Sequence, residues 1–162
     1  MPRLLLSLAI AAVATQVSAT EIAGKATVID TTTIEIDGQR IMLFGLDSVM
    51  RKQPCTIDSK LWPCWEAAVR DLQTLVDQGP ATCAVVGEPD AYHRVLGRCT
   101  INNESLNDKY VRRGYAVARP TETKDYVAAE AEAKEKKVGL WQGEFLRPSE
   151  FRRKAGIFVE RP

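Results

Sequence analysis

The sequence contains one histidine, and no two of its four cysteines form a C-x-x-C pair. A zinc site needs three or four His, Cys or carboxylate ligands, usually with two of them close in the chain, so the composition argues against a zinc protein. An excess of charge of one sign is also missing. The formal net charge is +1, so overall charge gives no reason to read a nucleic-acid binder, although a local basic patch stays open. The longest apolar run, residues 4–13, is too short to cross a bilayer as a stable helix. There are no internal repeats, no low-complexity stretch and no linker. At 162 residues the chain is sized for one domain around one core.

What stands at the N-terminus is an address. Arg3 precedes the apolar run, and small residues follow it, with Val17 and Ala19 at the positions a signal peptidase reads. Residues 1–19 therefore read as a secretory signal peptide, with a mature chain from about Thr20 in the periplasm or the medium. Without Arg3 the formal charge falls from +1 to zero. No membrane span is expected in the mature chain, and a monomer is expected. Cys55, Cys64, Cys83 and Cys99 all lie in the exported part, where an oxidising environment favours disulfides, and three pairings are open. Cys55 and Cys64 flank a loop; Cys83 and Cys99 sit in two apolar segments able to pair antiparallel.

The patterning predicts an α+β order. Residues 24–30 and 32–37 read as strands, and Asp37-Gly38 is a strong two-residue hairpin signal before a third strand over 39–46. Residues 47–60 are polar and irregular. From Leu61 the period changes to that of a helix, with Leu61, Trp65, Ala68, Leu72, Leu75 and Val76 on one face, until Gly79-Pro80. Two further strands follow, 81–86 and 94–101, the second carrying Gly97 as a predicted bulge or bend. Helices are expected at about 106–113 and 124–137, and then a segment with three aromatics and a basic "RPSEFRRK" end. Five short antiparallel strands with a helix between the third and the fourth suit an OB-type barrel.

Taken in series, "VIDTTT", "IMLFGLDSVMRKQPC", "LWPCWEAAVRDL", "DAYHR", "SLNDKYVRRGYAVA", "YVAAEAEAKEKKVGLW" and "GEFLRPSEFRR" resemble the staphylococcal-nuclease (thermonuclease) family over residues 24–153. The cysteines, Trp62-Pro63-Cys64 and the terminal Phe-x-x-Pro-x-x-x-Arg-Arg resemble an exported bacterial subgroup. The resemblance implies a five-stranded OB barrel with three helices and disulfides Cys55–Cys64 and Cys83–Cys99. Loops of about 10 and 17 residues closed in this way would contribute about 2–3 kcal/mol each in the chain-entropy model.

The family it resembles cuts DNA and RNA phosphodiesters with one Ca²⁺. Its motif Asp-Gly-Asp-Thr falls on Asp30-Thr31-Thr32-Thr33, so Thr32 stands where a calcium-ligating acid is implied. Its Arg-Leu-x-Gly-Ile-Asp-x-Pro-Glu falls on residues 42–50. There Met42 replaces the phosphate-clamping arginine, Asp47 keeps the second acid, and Met50 replaces the glutamate that orients water. Arg94 keeps the second catalytic arginine, with Tyr92 and His93 beside it as implied binding positions. The tyrosines that pack against a nucleotide are not evident near Arg119-Pro120.

A dianionic transition state needs a cation and guanidinium groups aimed at its oxygens. Each loss of such a group typically costs a factor of about 10²–10⁴. Thr32, Met42 and Met50 therefore predict a cleft poor in charge and partly apolar, with no cofactor and a calcium site that is weak at best, resting on Asp47. The expectation is a thermonuclease-like domain without normal thermonuclease catalysis, acting as a binding or accessory protein, with exopolysaccharide (succinoglycan) biosynthesis suggested by the resemblance. A weak or altered nuclease is the alternative. An anionic polymer, single-stranded nucleic acid or acidic polysaccharide, is the expected partner. Asp47 reads mainly as a backbone cap, Arg94 as a partner of Asp47 or of a nearby carbonyl, His93 as an exposed turn residue, and Asp30 as a loop support. Glu35 is a candidate substitute acid only if its face is the open one.

Overall fold

The computed structural model describes residues 20–157; the predicted signal peptide lies outside them. Its first strands, β1 (Glu21–Gly24) and β2 (Ala26–Val28), are halves of one segment interrupted at Lys25. Then come β3 (Thr33–Ile36), β4 (Gln39–Leu43), β5 (Leu46–Asp47), β6 (Cys55–Ile57), β7 (Lys60–Leu61) and helix α1 (Cys64–Val76). The middle of the chain forms β8 (Ala81–Val86), β9 (Val95–Ile101), β10 (Glu104–Ser105), α2 (Leu106–Arg112) and β11 (Val117–Ala118). It ends with α3 (Val127–Glu135), a 3₁₀ turn (Gly139–Gln142), β12 (Glu144–Phe145) and α4 (Pro148–Ala155).

The main sheet runs β1-β8-β9-β4-β3-β2. Its two edges, β1 and β2, belong to the same segment, so the ladder returns to where it began. Counting that segment once gives five strands in a barrel of the OB type. Asp37 and Gly38 both take positive φ, 48° and 81°, as a two-residue hairpin between β3 and β4 demands. One expectation is corrected here. β4 and β9 pair in parallel, Ile41 opposite Val95, so the barrel is not wholly antiparallel. Alternation of side chains reveals that a strand has a buried face and says nothing about the direction of its neighbour.

Alternation does place the core. Ile34, Ile36, Ile41 and Leu43 point inward with no exposure, and α1 and α2 cover the barrel with Leu72, Leu75, Leu106, Tyr110 and Val111. Asn107, wholly buried among them, accepts from the Cys99 amide at 3.0 Å and donates to the carbonyls of Phe44 and Gly97 at 2.9 and 3.1 Å. One amide side chain thus ties α2 to β9 and to the end of β4. Gly97 makes no bulge, because the β8–β9 ladder continues through it. A Cβ there would stand 2.5 Å from Ile41 Cγ2, so its role is close approach of backbone to core.

Both disulfides form, Cys55–Cys64 and Cys83–Cys99, the second joining residues directly opposite each other in β8 and β9. The first belongs to a second apolar cluster with Val49, Ala68 and Leu140, against which Trp62 and Trp65 pack. The first helix begins at Cys64, and Leu61 lies in β7, 77% exposed, off the helical face predicted for it. Pro63 stands at the cap, and the bond from Cys64 to Cys55 pulls the preceding residues into a hairpin. Among the described residues there are four α-helices in place of the expected three. Pro148 in the first turn and left-handed Gly156 (φ 66°) bound the additional one.

Asn107→Ala removes three buried hydrogen bonds at once and leaves their partners unsatisfied. We expect it to cost about 3 kcal/mol in chemical denaturation, and a cost below about 0.5 kcal/mol would contradict its role as a tie.

Candidate functional site

Three stretches enclose a cavity of about 850 Å³ on one side of the barrel. The turn before β3 supplies Ile29 to Thr33. β4, β5 and the loop after it supply Met42, Asp47, Ser48, Met50 and Arg51. α4 closes the cavity with Ser149, Arg152 and Arg153. Trp65, Arg94, Arg119, Gly156 and Ile157 complete the described lining. Each wall is pinned by polar contacts. The Thr32 amide and hydroxyl donate to Asp30 Oδ1 at 2.8 and 3.2 Å, and the Thr31 hydroxyl donates to the Val49 carbonyl at 2.9 Å. In the loop, Gln53 accepts from the Met50 amide and donates to the Leu146 carbonyl at 2.8 Å.

Asp47 is the centre of the cavity's electrostatics. It pairs with Val117 in the short β5–β11 ladder and is 4% exposed. Its Oδ1 accepts from the Ser48 amide at 3.0 Å and from Arg152 Nη1 at 3.0 Å. Its Oδ2 accepts from Arg152 Nη2 and, at 3.5 Å, from Arg119 Nη1. The guanidinium of α4 therefore grips both carboxylate oxygens in a fork, the geometry in which such pairs are strongest. α4 is held where this requires. β12 pairs with β6, and Arg147, just before the helix, donates to Glu130 at 2.8 Å and to the Ala118 carbonyl at 3.1 Å.

Residues 40–143 match the family model described as staphylococcal nuclease homologue, most of the chain. This chain belongs to that family. A relative, the succinoglycan biosynthesis protein ExoI of Rhizobium meliloti (strain 1021), is 30% identical over 131 residues, covering 78% of this chain and 68% of that protein.

On this staphylococcal-nuclease scaffold, Thr32, Met42, Asp47, Met50 and Arg94 do converge on one cavity. Tyr92 and His93 do not line it. Tyr92 is 73% exposed beneath the Arg94 guanidinium, and the His93 carbonyl accepts from Gln39 at 2.7 Å. Glu35 is not part of its lining and pairs across the hairpin with Arg40. Arg94 takes Asp90 as its ion-pair partner, at 2.6 Å, and not Asp47. Burial works against Asp90, yet hydrogen bonds from Arg94 and the Tyr92 amide bring its carboxyl below the ordinary carboxylate range.

The expectation of a cleft poor in charge is corrected. Arg51, Arg94, Arg119, Arg152 and Arg153 line the cavity beside two carboxylates, Asp30 and Asp47. Four of these arginines were not singled out as site residues by sequence. Arg152 and Arg153 sit in the basic C-terminal motif, the one signal available; nothing in the local pattern of Arg51 or Arg119 marks them. Arg119 is further held by Glu122 at 2.6 Å.

Behind the site, Glu130 is buried with both oxygens engaged. Burial opposes its ionisation, but Arg147, Lys134 and the Ala118 amide outweigh that and hold its carboxyl down at about 2, from an ordinary 4.5. The folded state thus binds fewer protons than the unfolded chain as the pH falls. The contribution of Glu130 is complete above pH 4.5 and gone once the pH has fallen through about 2. Glu130→Gln should melt lower than wild type at neutral pH, with the gap closing over that window; a gap independent of pH would contradict the assignment.

Proposed function

We propose that this member of the staphylococcal nuclease homologue family has lost calcium-dependent phosphodiester cleavage and serves as an exported, non-catalytic binding protein, accessory to exopolysaccharide production. The observation that carries the reading is the capture of the Asp47 carboxylate by Arg152. A calcium ion takes six to eight oxygen ligands, with carboxylates supplying most of the affinity. Here the two oxygens of Asp47 already face a guanidinium, Asp30 Oδ1 already accepts from the Thr32 amide and hydroxyl, and Met42 and Met50 offer thioethers. Among the described residues no three His, Cys, Asp or Glu side chains converge on one point. This donor set does not fit a calcium ion.

The lost groups also fall on the chemistry itself. Met50 can neither accept a proton nor orient water, and Met42 supplies no donor for a phosphoryl oxygen. The cavity's arginines suit the binding of an anionic polymer, and the name of the relative, a succinoglycan biosynthesis protein, supports the exopolysaccharide setting. Two disulfides support an oxidising compartment outside the cytoplasm. None of the helices among the described residues is long and apolar enough to cross a membrane. The second reading, a weak or altered nuclease, draws on Arg94 and Asp47 still facing one cavity with three other arginines beside Arg152.

Purified protein incubated with single-stranded DNA or RNA in Ca²⁺, Mg²⁺, Mn²⁺ or EDTA separates the two. Cleavage at the level of the EDTA control is expected throughout. Metal-dependent cleavage that disappears in Asp47→Ala or Arg94→Ala establishes the altered nuclease instead.

A further inference from the structure

The ion pairs around the cavity leave an uneven charge. Arg152 is answered by Asp47, Arg119 by Glu122 and Arg94 by Asp90. Arg51 and Arg153 have no carboxylate partner among the described residues, and they reach the cavity from different elements, one from the loop after β5 and the other from α4. Asp30, the one further acid of the lining, is occupied with Thr32. An arginine fork matches a carboxylate in two parallel hydrogen bonds, so two exposed forks lining a cavity of about 850 Å³ select a ligand with anionic groups at intervals. The volume is that of a site for a short oligomer.

The rest of the lining narrows the chemistry. Ile29 and Ile157, 41% and 38% exposed, and the half-buried Met50 give apolar surface against which sugar C–H faces pack. Single-stranded nucleic acid is held by aromatic faces on which bases stack. Among the described residues the one aromatic of the lining, Trp65, carries the Arg51 guanidinium 4.4 Å from its ring centroid and packs on the Cys55–Cys64 cluster. Tyr92, an exposed ring nearby in sequence, is outside the cavity, with the Arg94 guanidinium 5.4 Å from its ring centroid. The described lining residues offer no stacking platform.

We propose that this cavity is a metal-independent receptor for a carboxylate-bearing oligosaccharide, gripped between Arg51 and Arg153 and oriented over the fixed Arg152–Asp47 pair. The proposal rests on reading the cleft as one that binds and does not cut. It names the ligand class and the two residues that take it. Because the central cation is a covalent part of the chain, neither calcium nor a chelator alters the affinity.

Calorimetric titration of the protein, disulfides intact, with tetragalacturonate, its methyl ester and an oligothymidylate of equal length tests this, each in EDTA and in CaCl₂. Tetragalacturonate should bind equally in both buffers. The methyl ester should fail to bind, and the oligothymidylate should bind at least about ten-fold more weakly. Arg51→Gln and Arg153→Gln should each weaken tetragalacturonate by about ten-fold with the melting temperature unchanged, and Arg40→Gln, outside the cavity, should not. Equal binding of the ester, dependence on calcium, preference for the oligonucleotide, indifference to both substitutions, or no binding of tetragalacturonate each overturns it. These outcomes are independent of the nuclease assay: a protein that neither cuts nucleic acid nor binds tetragalacturonate loses this ligand and keeps the non-catalytic reading.

Discussion

A carboxylate taken out of water in the wall of a barrel needs a positive partner close by, because leaving it buried and uncompensated is strongly destabilising. In this chain the partner of Asp47 comes from 105 residues further on, as a two-pronged contact from Arg152. Much of the C-terminal architecture follows from that requirement. β12 pairs with β6, Gln53 bonds the Leu146 carbonyl, and Arg147 joins Glu130 and Ala118, so the chain arrives at Pro148 already aimed back across the cavity. α4 then places Arg152 over Asp47 and Arg153 at the rim.

The same pair decides the sign of what the cavity can hold. A carboxylate facing open space invites a cation. A carboxylate closed by a guanidinium presents the outer edge of an arginine, and further arginines beside it favour anions. Thr32, Met42 and Met50 bring no charge to the cavity, while Arg51, Arg119, Arg152 and Arg153 bring positive charge from other elements. The buried polar tie of Asn107 and the two disulfides lie in that barrel and its flank, separate from the exposed arginines of the rim.

Much of the barrel was legible in the sequence because its causes are local. Asp37-Gly38 reads as a hairpin since both residues tolerate the left-handed backbone they adopt. The strands at 81–86 and 95–101 stand out as β-prone runs bounded by turns, and the helix at 106–112 as a run closed by Gly114. The parallel β4–β9 pair was not legible, because partner direction leaves no trace in alternation. Nor was the helix start at Cys64, where a disulfide and a proline override a periodicity that would have included Leu61. At the site, five residues carried over by motif do meet. The place of the basic ending in the site was not legible, because nothing local couples Arg152 to a strand more than a hundred residues earlier.

Calorimetric titration of CaCl₂ into the metal-free protein at neutral pH is the most direct test of whether Arg152 has taken the place of a cation at Asp47. The account predicts no saturable heat up to millimolar calcium. Saturable binding at one site with a dissociation constant well below millimolar, lost in Asp47→Asn, would contradict it.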